Sequence, residues 1–405
     1  MKNYLKKFKP VWKLLLLIIL SLITFSYAMF QGGFVSWFLF YSFMPLAIYG
    51  LFLAFYPLKK VRVERFLLKR DYRAGEKIKI TMKIHRHSAF PLFFLVIEDC
   101  ISDSLLFDLN KKEAKTLLFP NFQKELIFDY EIVNVPRGEH FFKDVILRIG
   151  DPLSLFEKEV RIPLEDRIVV YPKYEELSYR PFSNPYDQGM TASRERVQRD
   201  TSMAVGVREY HPGDRFSWIN WKASAKRNDI MTKEFEQRQS HDVYIIMDCA
   251  QDKRFEIIVS FTASIVRGIL RKGAEVGLHT VGSKRVVIPI NGGDSQQLKV
   301  FYHLAKIKDD CPSSLDKVLE MDSMFTQQKV SLMIVTAQLS KKLIDYAGVI
   351  AQRKGIITIF LIKEGKEKIT NQEISLKEAG IARGVNVIPV HEGLFADAFA
   401  EVKRG

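Results

Sequence analysis

Few residues in this sequence have the types and spacing that catalysis requires. No glycine-rich phosphate loop, HExxH or GxSxG pattern occurs. Ser314-Leu315-Asp316-Lys317 matches the SxxK of the serine acylases, but no SDN or KTG element follows, so chance explains the match better. Cys249 follows an apolar run, where catalytic groups often lie in α/β folds, yet no histidine neighbours it and a packed thiol is the better interpretation. No catalytic residue is assigned.

One polar segment concentrates cations, carboxylates and aromatic rings. Its chemistry-bearing residues are Arg208, Glu209, Tyr210, Gly213, Asp214, Trp221, Lys222, Lys226 and Glu236. In one interpretation the charged members form a surface that docks a partner. In the other, Trp218, Ile219 and Trp221 fill a core, while the carboxylates of Glu209 and Asp214 pair with nearby cations and fix the segment. Both interpretations stay open.

The flanking sequence predicts two kinds of domain. Residues 59–172 show short runs of period-two alternation between polar turns, as in 77–84 and 126–132, which predicts a small antiparallel β-sandwich. Residues 173–240, which hold the polar segment, are interpreted as a linker. In residues 241–405, apolar strand-like runs alternate with helical patterns such as Arg254–Arg271, which predicts an α/β domain with a mostly parallel sheet.

The N-terminus predicts a transmembrane hairpin over residues 1–58. No charged residue or histidine occurs from Leu14 to Leu58, so spans at Leu14–Phe30 and Phe34–Tyr56 fit, with a tight turn between them. Lysines precede the first span and basic residues follow the second, which places both termini in the cytoplasm. A cleavable signal peptide ending near Ala28 is the alternative, and the second span would still return the chain to the cytoplasm.

The charge distribution favours a membrane over nucleic acid. Of the net charge of +14, residues 1–87 hold 16 Lys and Arg against 3 Asp and Glu, whereas the remainder is nearly balanced. Such a basic collar is attracted to the anionic inner leaflet of a lipid bilayer, and the later domains lack the basic stripe that nucleic acid requires. The three cysteines are widely spaced and suggest neither disulfides nor zinc.

Several motifs together resemble those of a known family. They are Arg208-Glu209-Tyr210-His211-Pro212-Gly213-Asp214, Ile219-Asn220-Trp221-Lys222-Ala223-Ser224-Ala225-Lys226, Phe235-Glu236, Arg137-Gly138-Glu139-His140, Gly150-Asp151-Pro152-Leu153-Ser154-Leu155-Phe156 and Val169-Val170-Tyr171-Pro172. The set resembles the Domain of Unknown Function 58 family over nearly the whole chain. Ser217 departs from it, because family members commonly carry Arg there.

The resemblance implies a membrane hairpin, a β-rich region and a von Willebrand factor A-like (Rossmann-type) domain. Such domains open a metal-ion-dependent adhesion site with Asp-x-Ser-x-Ser, and the matching run here extends from Asp248 to Asp252. Ala250 offers no side-chain oxygen, and Asp252 replaces the second serine. Because Mg²⁺ demands near-ideal oxygen geometry, we expect a degenerate site, with no metal and no cofactor.

The family is often encoded beside MoxR-type AAA ATPases, which implies a partner rather than a reaction. We therefore expect a membrane-tethered cytosolic scaffold that binds a MoxR-like AAA ATPase and is not an enzyme. The alternative is a hydrolase-type enzyme whose active site carries none of the motifs above. An enzyme needs a base within reach of a nucleophile in a pocket, whereas a docking module needs exposed aromatic and Arg anchors.

Overall fold

The computed structural model describes residues 2–101, 114–152, 156–179, 199–211, 214, 216–237, 242–282, 285–311, 315–316, 331–354 and 357–399. The chain forms two compact units, Met1–Lys173 and Tyr174–Gly405. Ser314 and Lys317 of the SxxK match, and Gly213 of the polar segment, lie outside the described residues.

The first unit begins with two helices, α1 (Lys2–Gln31) and α2 (Phe34–Phe55). The break falls at Gly32, whose positive φ of 62° suits glycine. Among the described residues, α2 is the helix long and apolar enough to cross a membrane, whereas the apolar part of α1, Leu15–Gln31, is shorter. The span predicted at Leu14–Phe30 therefore stays a prediction.

A two-sheet β region follows the helices. Its strands are β1 (Arg62–Leu67), β2 (Asp71–Arg73), β3 (Ile78–His85), β4 (Phe94–Ile101), β5 (Lys115–Leu118), β6 (Glu125–Ile132), β7 (Gly138–Gly150) and β8 (Glu157–Tyr171). Within the described residues they form sheets of order β1-β3-β6 and β2-β8-β7-β4-β5. Alternating residues such as Ile80, Met82 and Leu147 are fully buried in one shared core, as their period-two spacing predicts. The strands pair antiparallel except β2, which runs parallel to β8, so the prediction of an all-antiparallel domain is wrong at that edge.

The second unit contains a hairpin and an α/β sheet. Its elements are β9 (Arg199–Glu209), α3 (Trp221–Arg227), β10 (Met231–Gln237), β11 (Val243–Asp248), α4 (Phe255–Arg271), β12 (Val276–Val281), β13 (Arg285–Asn291), α5 (Gly293–Lys306), β14 (Ser331–Thr336), α6 (Lys341–Lys354), β15 (Ile357–Lys363), α7 (Asn371–Ile381) and β16 (Val385–His391). The sheet order is β13-β12-β11-β14-β15-β16, parallel except for β13. The described strands and helices of residues 241–405 thus follow the predicted alternation.

Within the segment 173–240, which the sequence predicts to be a linker, the described residues from 199 to 237 contain paired strands and a short helix. Strands β9 and β10 pair antiparallel, with Met231 opposite Glu209 and register shifts further along. The short helix α3 lies between them in sequence. The polar segment therefore belongs to a structured hairpin within the second unit.

Candidate functional site

The connection between β9 and β10 is held by a small set of polar contacts. The Asn220 side chain caps α3 by accepting from the Ala223 amide, and the Asn220 amide donates to the Met231 carbonyl at 2.8 Å. The Ser224 hydroxyl accepts from the Met231 amide at 2.8 Å. Ile219 and Met231 are buried beside these bonds. Because the N-cap and the middle of α3 are both hydrogen-bonded to Met231 of β10, the exposed residues of α3 are presented on an anchored element.

Two charged residues of the segment, Arg208 and Asp214, pair with each other. The Arg208 guanidinium donates to the Asp214 carboxylate at 2.7 Å, and the other Asp214 oxygen accepts from the His211 amide at 3.1 Å. The Arg208 hydrogen bond, followed by that of His211, lowers the pKa of Asp214. This pair fixes the turn after β9, as the second interpretation of the segment predicts for Asp214.

Of the three residues that this interpretation places in a core, Ile219 is buried and Trp218 is half-buried, but Trp221 departs from it. Trp221, expected in the core, is 70% exposed, and Phe216 is 78% exposed. Phe216 stacks on Tyr210, with ring centroids 6.4 Å apart. Lys222 and Lys226 are exposed on α3 with Trp221. We call the side chains that the connection between β9 and β10 presents here the hairpin patch: Tyr210, Phe216, Trp221, Lys222 and Lys226.

The remaining predicted residues of the segment contribute less. Glu209 is exposed at the end of β9, opposite Met231. Glu236 lies in β10, and its side chain is outside the described part of the chain. Phe216 was not among the predicted site residues. Its position next to Ser217 and Trp218 in a polar stretch is the sequence signal that could have pointed to it.

A second candidate site lies at the carboxyl ends of β11 and β14, where the strand order of the α/β sheet reverses. Asp248 is buried, and its carboxylate accepts from the Thr336 hydroxyl at 2.7 Å and from the Ala250 amide at 2.9 Å. Burial raises the pKa of Asp248, and the Thr336 hydrogen bond opposes that change. The backbone after this strand also pairs Ala250 with Cys311.

Asp252 forms an ion pair with Arg254 of the same loop. The Arg254 guanidinium donates to both carboxylate oxygens of Asp252, each at 2.9 Å, and the Gln338 amide reaches one of them at 3.3 Å. The Arg254 hydrogen bonds lower the pKa of Asp252 to about 2. An arginine thus occupies the acceptors that a divalent cation would need, and Ala250 adds no oxygen. The residues Asp248 and Asp252 do not fit a Mg²⁺ site in this arrangement.

The charge network continues along this edge of the sheet. Lys363 is buried, and its ammonium donates to both Glu373 oxygens, at 2.7 and 2.8 Å, and to Glu367 at 3.3 Å. Arg254 also lies 3.7 Å from the Glu367 carboxylate. Glu373 completes a capping box with Thr370 at the start of α7. Sequence reasoning assigned no role to Arg254, Thr336 or Lys363. The partner of Thr336 is 88 positions away, whereas Arg254 and Lys363 have carboxylate partners 2, 4 and 10 positions away that local spacing could have suggested.

These features define a class of protein: an apolar N-terminal helix, a two-sheet β unit, and an α/β unit that carries an exposed aromatic hairpin. Comparison with known proteins agrees. The profile described as "Protein of unknown function DUF58" matches residues 206–389. The chain is 37% identical over 379 residues to "Uncharacterized protein YeaD" of Bacillus subtilis (strain 168), covering 93% of this chain and 94% of that protein. The chain belongs to the DUF58 family.

Similarity to solved structures is weak. The VWA domain of SpRpn10 superposes with a TM-score of 0.28 at 14% identity, covering 39% of this chain and 93% of that domain. Proximal thread matrix protein 1 from the mussel byssus gives a TM-score of 0.27 at 9% identity, over 40% of this chain and 46% of that one.

Proposed function

We propose that this DUF58 protein is a membrane-anchored docking protein whose hairpin patch binds a cytosolic partner. The observation that carries the proposal is the exposure of Trp221 and Phe216 on a segment whose own backbone is tied down. Large aromatic residues on an ordered surface are typical binding hot spots, and the lysines beside them favour an acidic partner surface. The ion pair of Arg208 and Asp214 holds together the two sides of the connection that carries Tyr210 of the patch.

The partner that we propose is a MoxR-like AAA ATPase, which the family resemblance implies. An anchored docking module raises the local concentration of whatever it binds, so it can control where an ATPase works without performing chemistry itself. The α/β unit is proposed to be von Willebrand factor A-like, with its metal site replaced by the Asp252–Arg254 pair.

The arrangement at the sheet edge favours docking over the alternative of an enzyme. Thr336 and Asp248 form a hydroxyl–carboxylate pair there, but both side chains are buried. A nucleophile and base must meet substrate in a pocket. The cationic side chains at this edge are already paired: Lys363 with Glu373, and Arg254 with Asp252 and Glu367.

Co-purification from detergent-solubilised membranes tests the proposal. Trp221→Ala should weaken capture of the MoxR-like ATPase by about 2 kcal/mol, or roughly thirtyfold in Kd, and Phe216→Ala should add to the loss. Leu298→Ala is the matched control, because Leu298 is 60% exposed on α5 and lies outside the hairpin patch. Undiminished capture by the folded double variant Trp221→Ala, Phe216→Ala would reject the hairpin patch as the docking surface.

A charge exchange separates the two interpretations of the polar segment. Arg208→Glu alone should loosen the turn by breaking the 2.7 Å contact with Asp214. Arg208→Glu together with Asp214→Lys restores a pair of reversed polarity but not the bond from the His211 amide, so it should recover part of the capture if the pair only holds the hairpin patch in place. Loss of capture in the folded exchange variant would mean that Arg208 or Asp214 contacts the partner directly.

A further inference from the structure

The last turns of α2 are clamped by loops of the β region in the same unit. The Tyr49 hydroxyl donates to the Pro91 carbonyl at 3.1 Å and accepts from the Phe93 amide at 3.3 Å. The Tyr49 ring also stacks on Phe90 and meets Phe93 edge to face, with centroids 5.6 and 5.0 Å apart. The loop between β3 and β4 is therefore fixed alongside α2 at the level of Tyr49.

The position of the Tyr49 contact along α2 decides where the β3–β4 loop lies relative to a membrane, because α2 is the described helix that suits a membrane span. Tyr49 lies about 9 Å before the C-terminal residue Phe55 along the helix axis, and the part of α2 that precedes Tyr49 is only about 22 Å long. A hydrocarbon core is about 30 Å thick. If α2 spans it, the turn containing Tyr49 must lie within or at the boundary of the apolar region, and the β3–β4 loop must lie there with it.

Backbone polar groups of this loop have hydrogen-bond partners within the protein, as apolar surroundings require. The Phe90 carbonyl accepts from the Arg86 guanidinium, and the Phe90 amide donates to the Ser88 hydroxyl at 3.2 Å. Leu92 exchanges both backbone hydrogen bonds with Asn121, each at 3.2 Å. Near a bilayer, where water is scarce, backbone polar groups must find partners within the protein. Those of Phe90 and Leu92 do so.

Two adjacent loops present exposed aromatic side chains beside α2. Phe93 is on the β3–β4 loop, and Phe119 and Phe122 flank Asn121 on the β5–β6 loop that pairs with it. All three are more than half exposed. Arg86 joins the two loops by donating to the Asn121 and Gln123 carbonyls. We call Phe93, Phe119 and Phe122 the aromatic rim.

The surroundings of the aromatic rim fit a lipid surface. On α2, Phe52 and Phe55 stay exposed, so the β loops leave part of the last turns uncovered. Lys59, Lys60 and Lys124 are exposed just beyond the rim. Phenylalanine side chains that enter the boundary between headgroups and acyl chains, with lysines on the polar side, are typical of segments that lie in a membrane interface.

We propose that the aromatic rim inserts into the boundary between lipid headgroups and acyl chains, so that the β region is seated in the membrane. This inference rests on the proposed membrane anchor. Its consequence is that the β region is fixed at the bilayer surface by α2 and the two loops together.

Photocrosslinking of the full chain in vesicles of phosphatidylcholine and phosphatidylglycerol tests the inference. Benzoyl-phenylalanine is introduced singly at positions 93, 119 and 122, and lipid adducts are quantified by mass spectrometry. The reference for insertion is position 55 on α2, where Phe55 is 77% exposed. The reference for water is position 68, because Leu68 is 84% exposed and follows the other end of β1.

The expected result is lipid adducts at positions 93, 119 and 122 with yields close to that of position 55 and severalfold above that of position 68. Adducts at position 55 without adducts at the rim would overturn the inference and leave the anchor intact. If position 55 also gives none, the anchor itself is rejected and the inference falls with it.

Discussion

Asp248 and Asp252 are four residues apart in the chain, yet their surroundings shift the pKa values of the two carboxyl groups in opposite directions. Burial raises the pKa of Asp248, so its charge opposes folding near neutral pH. The Arg254 guanidinium lowers the pKa of Asp252 to about 2, so its charge favours the fold. The pairing of Asp252 stabilises the protein above the unfolded-state pKa of about 3.9 and is lost as the pH falls toward 2.

We therefore expect opposite effects from the two amide substitutions. Asp248→Asn should leave the unfolding temperature unchanged or raise it. The new amide can donate to the Thr336 hydroxyl, and that hydroxyl can in turn donate to the Gln338 carbonyl, which lies 3.0 Å away. Asp252→Asn should cost about 1–2 kcal/mol, because the amide cannot accept both Arg254 hydrogen bonds. Thermal unfolding of the detergent-solubilised chain measures both.

Millimolar Mg²⁺ is the control for these variants. A metal that binds the native state raises the unfolding temperature by mass action, and we expect no increase in the parent protein. A rise of several degrees that is lost in Asp248→Asn would show a working metal site and contradict the assignment of Arg254 as the cation at Asp252.

At the scale of elements, helix α4 shows how close packing depends on one small residue. A Cβ added at Gly268 would lie 2.5 Å from Leu177 Cδ1 and 3.2 Å from the Leu177 carbonyl oxygen. Gly268→Ala should therefore destabilise the second unit by about 1–3 kcal/mol through overpacking, measured by chemical denaturation. Adding Leu177→Ala removes the nearer contact, so the double variant should lose less than the sum of the two single losses. Simple additivity would mean that the two residues do not couple.

The elements differ in how well the sequence predicts them. The parallel strands β11 and β14 are continuous apolar runs, and α4 has a strong apolar face, so local pattern suffices. In β9 the run Thr201 to Val207 mixes small and polar residues without clear alternation, and the strand was missed. Strand β13 contains Pro289, which argues against a central strand but is tolerated at a sheet edge.

The candidate sites were less predictable than the strands for a related reason. The Asp248–Thr336 bond joins residues 88 positions apart, so spacing in the sequence says nothing about it. The exposure of Trp221 was equally hard to predict, because an aromatic residue in a helix is more often part of a core than of a surface. The Arg208–Asp214 pair was within reach, since the two residues are only 6 positions apart in the chain.

At the scale of the whole molecule, the chain carries its positive charge at one end and its proposed docking surface in the other unit. The first 87 residues account for nearly all of the net charge of +14. At the helix pair, four of the six buried residues that the structure describes are small, as is usual where membrane helices approach closely: Ala28, Ser36, Ala47 and Gly50, beside Leu17 and Leu53. An added Cβ at Gly50 would lie 3.0 Å from Leu17. This packing supports the proposal that α1 and α2 cross the bilayer as a pair.

That proposal makes a definite prediction of topology. With two spans and lysines on both flanks, a reporter fused after Gly405 should be active only in the cytoplasm, and one inserted at Gly32 only outside. Gly32 is suited to insertion, because it lies in the turn between the helices and a Cβ there would meet nothing within 4 Å. If α2 alone spans and α1 stays outside, the C-terminal reporter is still cytoplasmic, but a reporter fused before Met1 becomes external, which separates one span from two. External activity after Gly405 would contradict both arrangements and, with them, the proposal of a cytosolic partner.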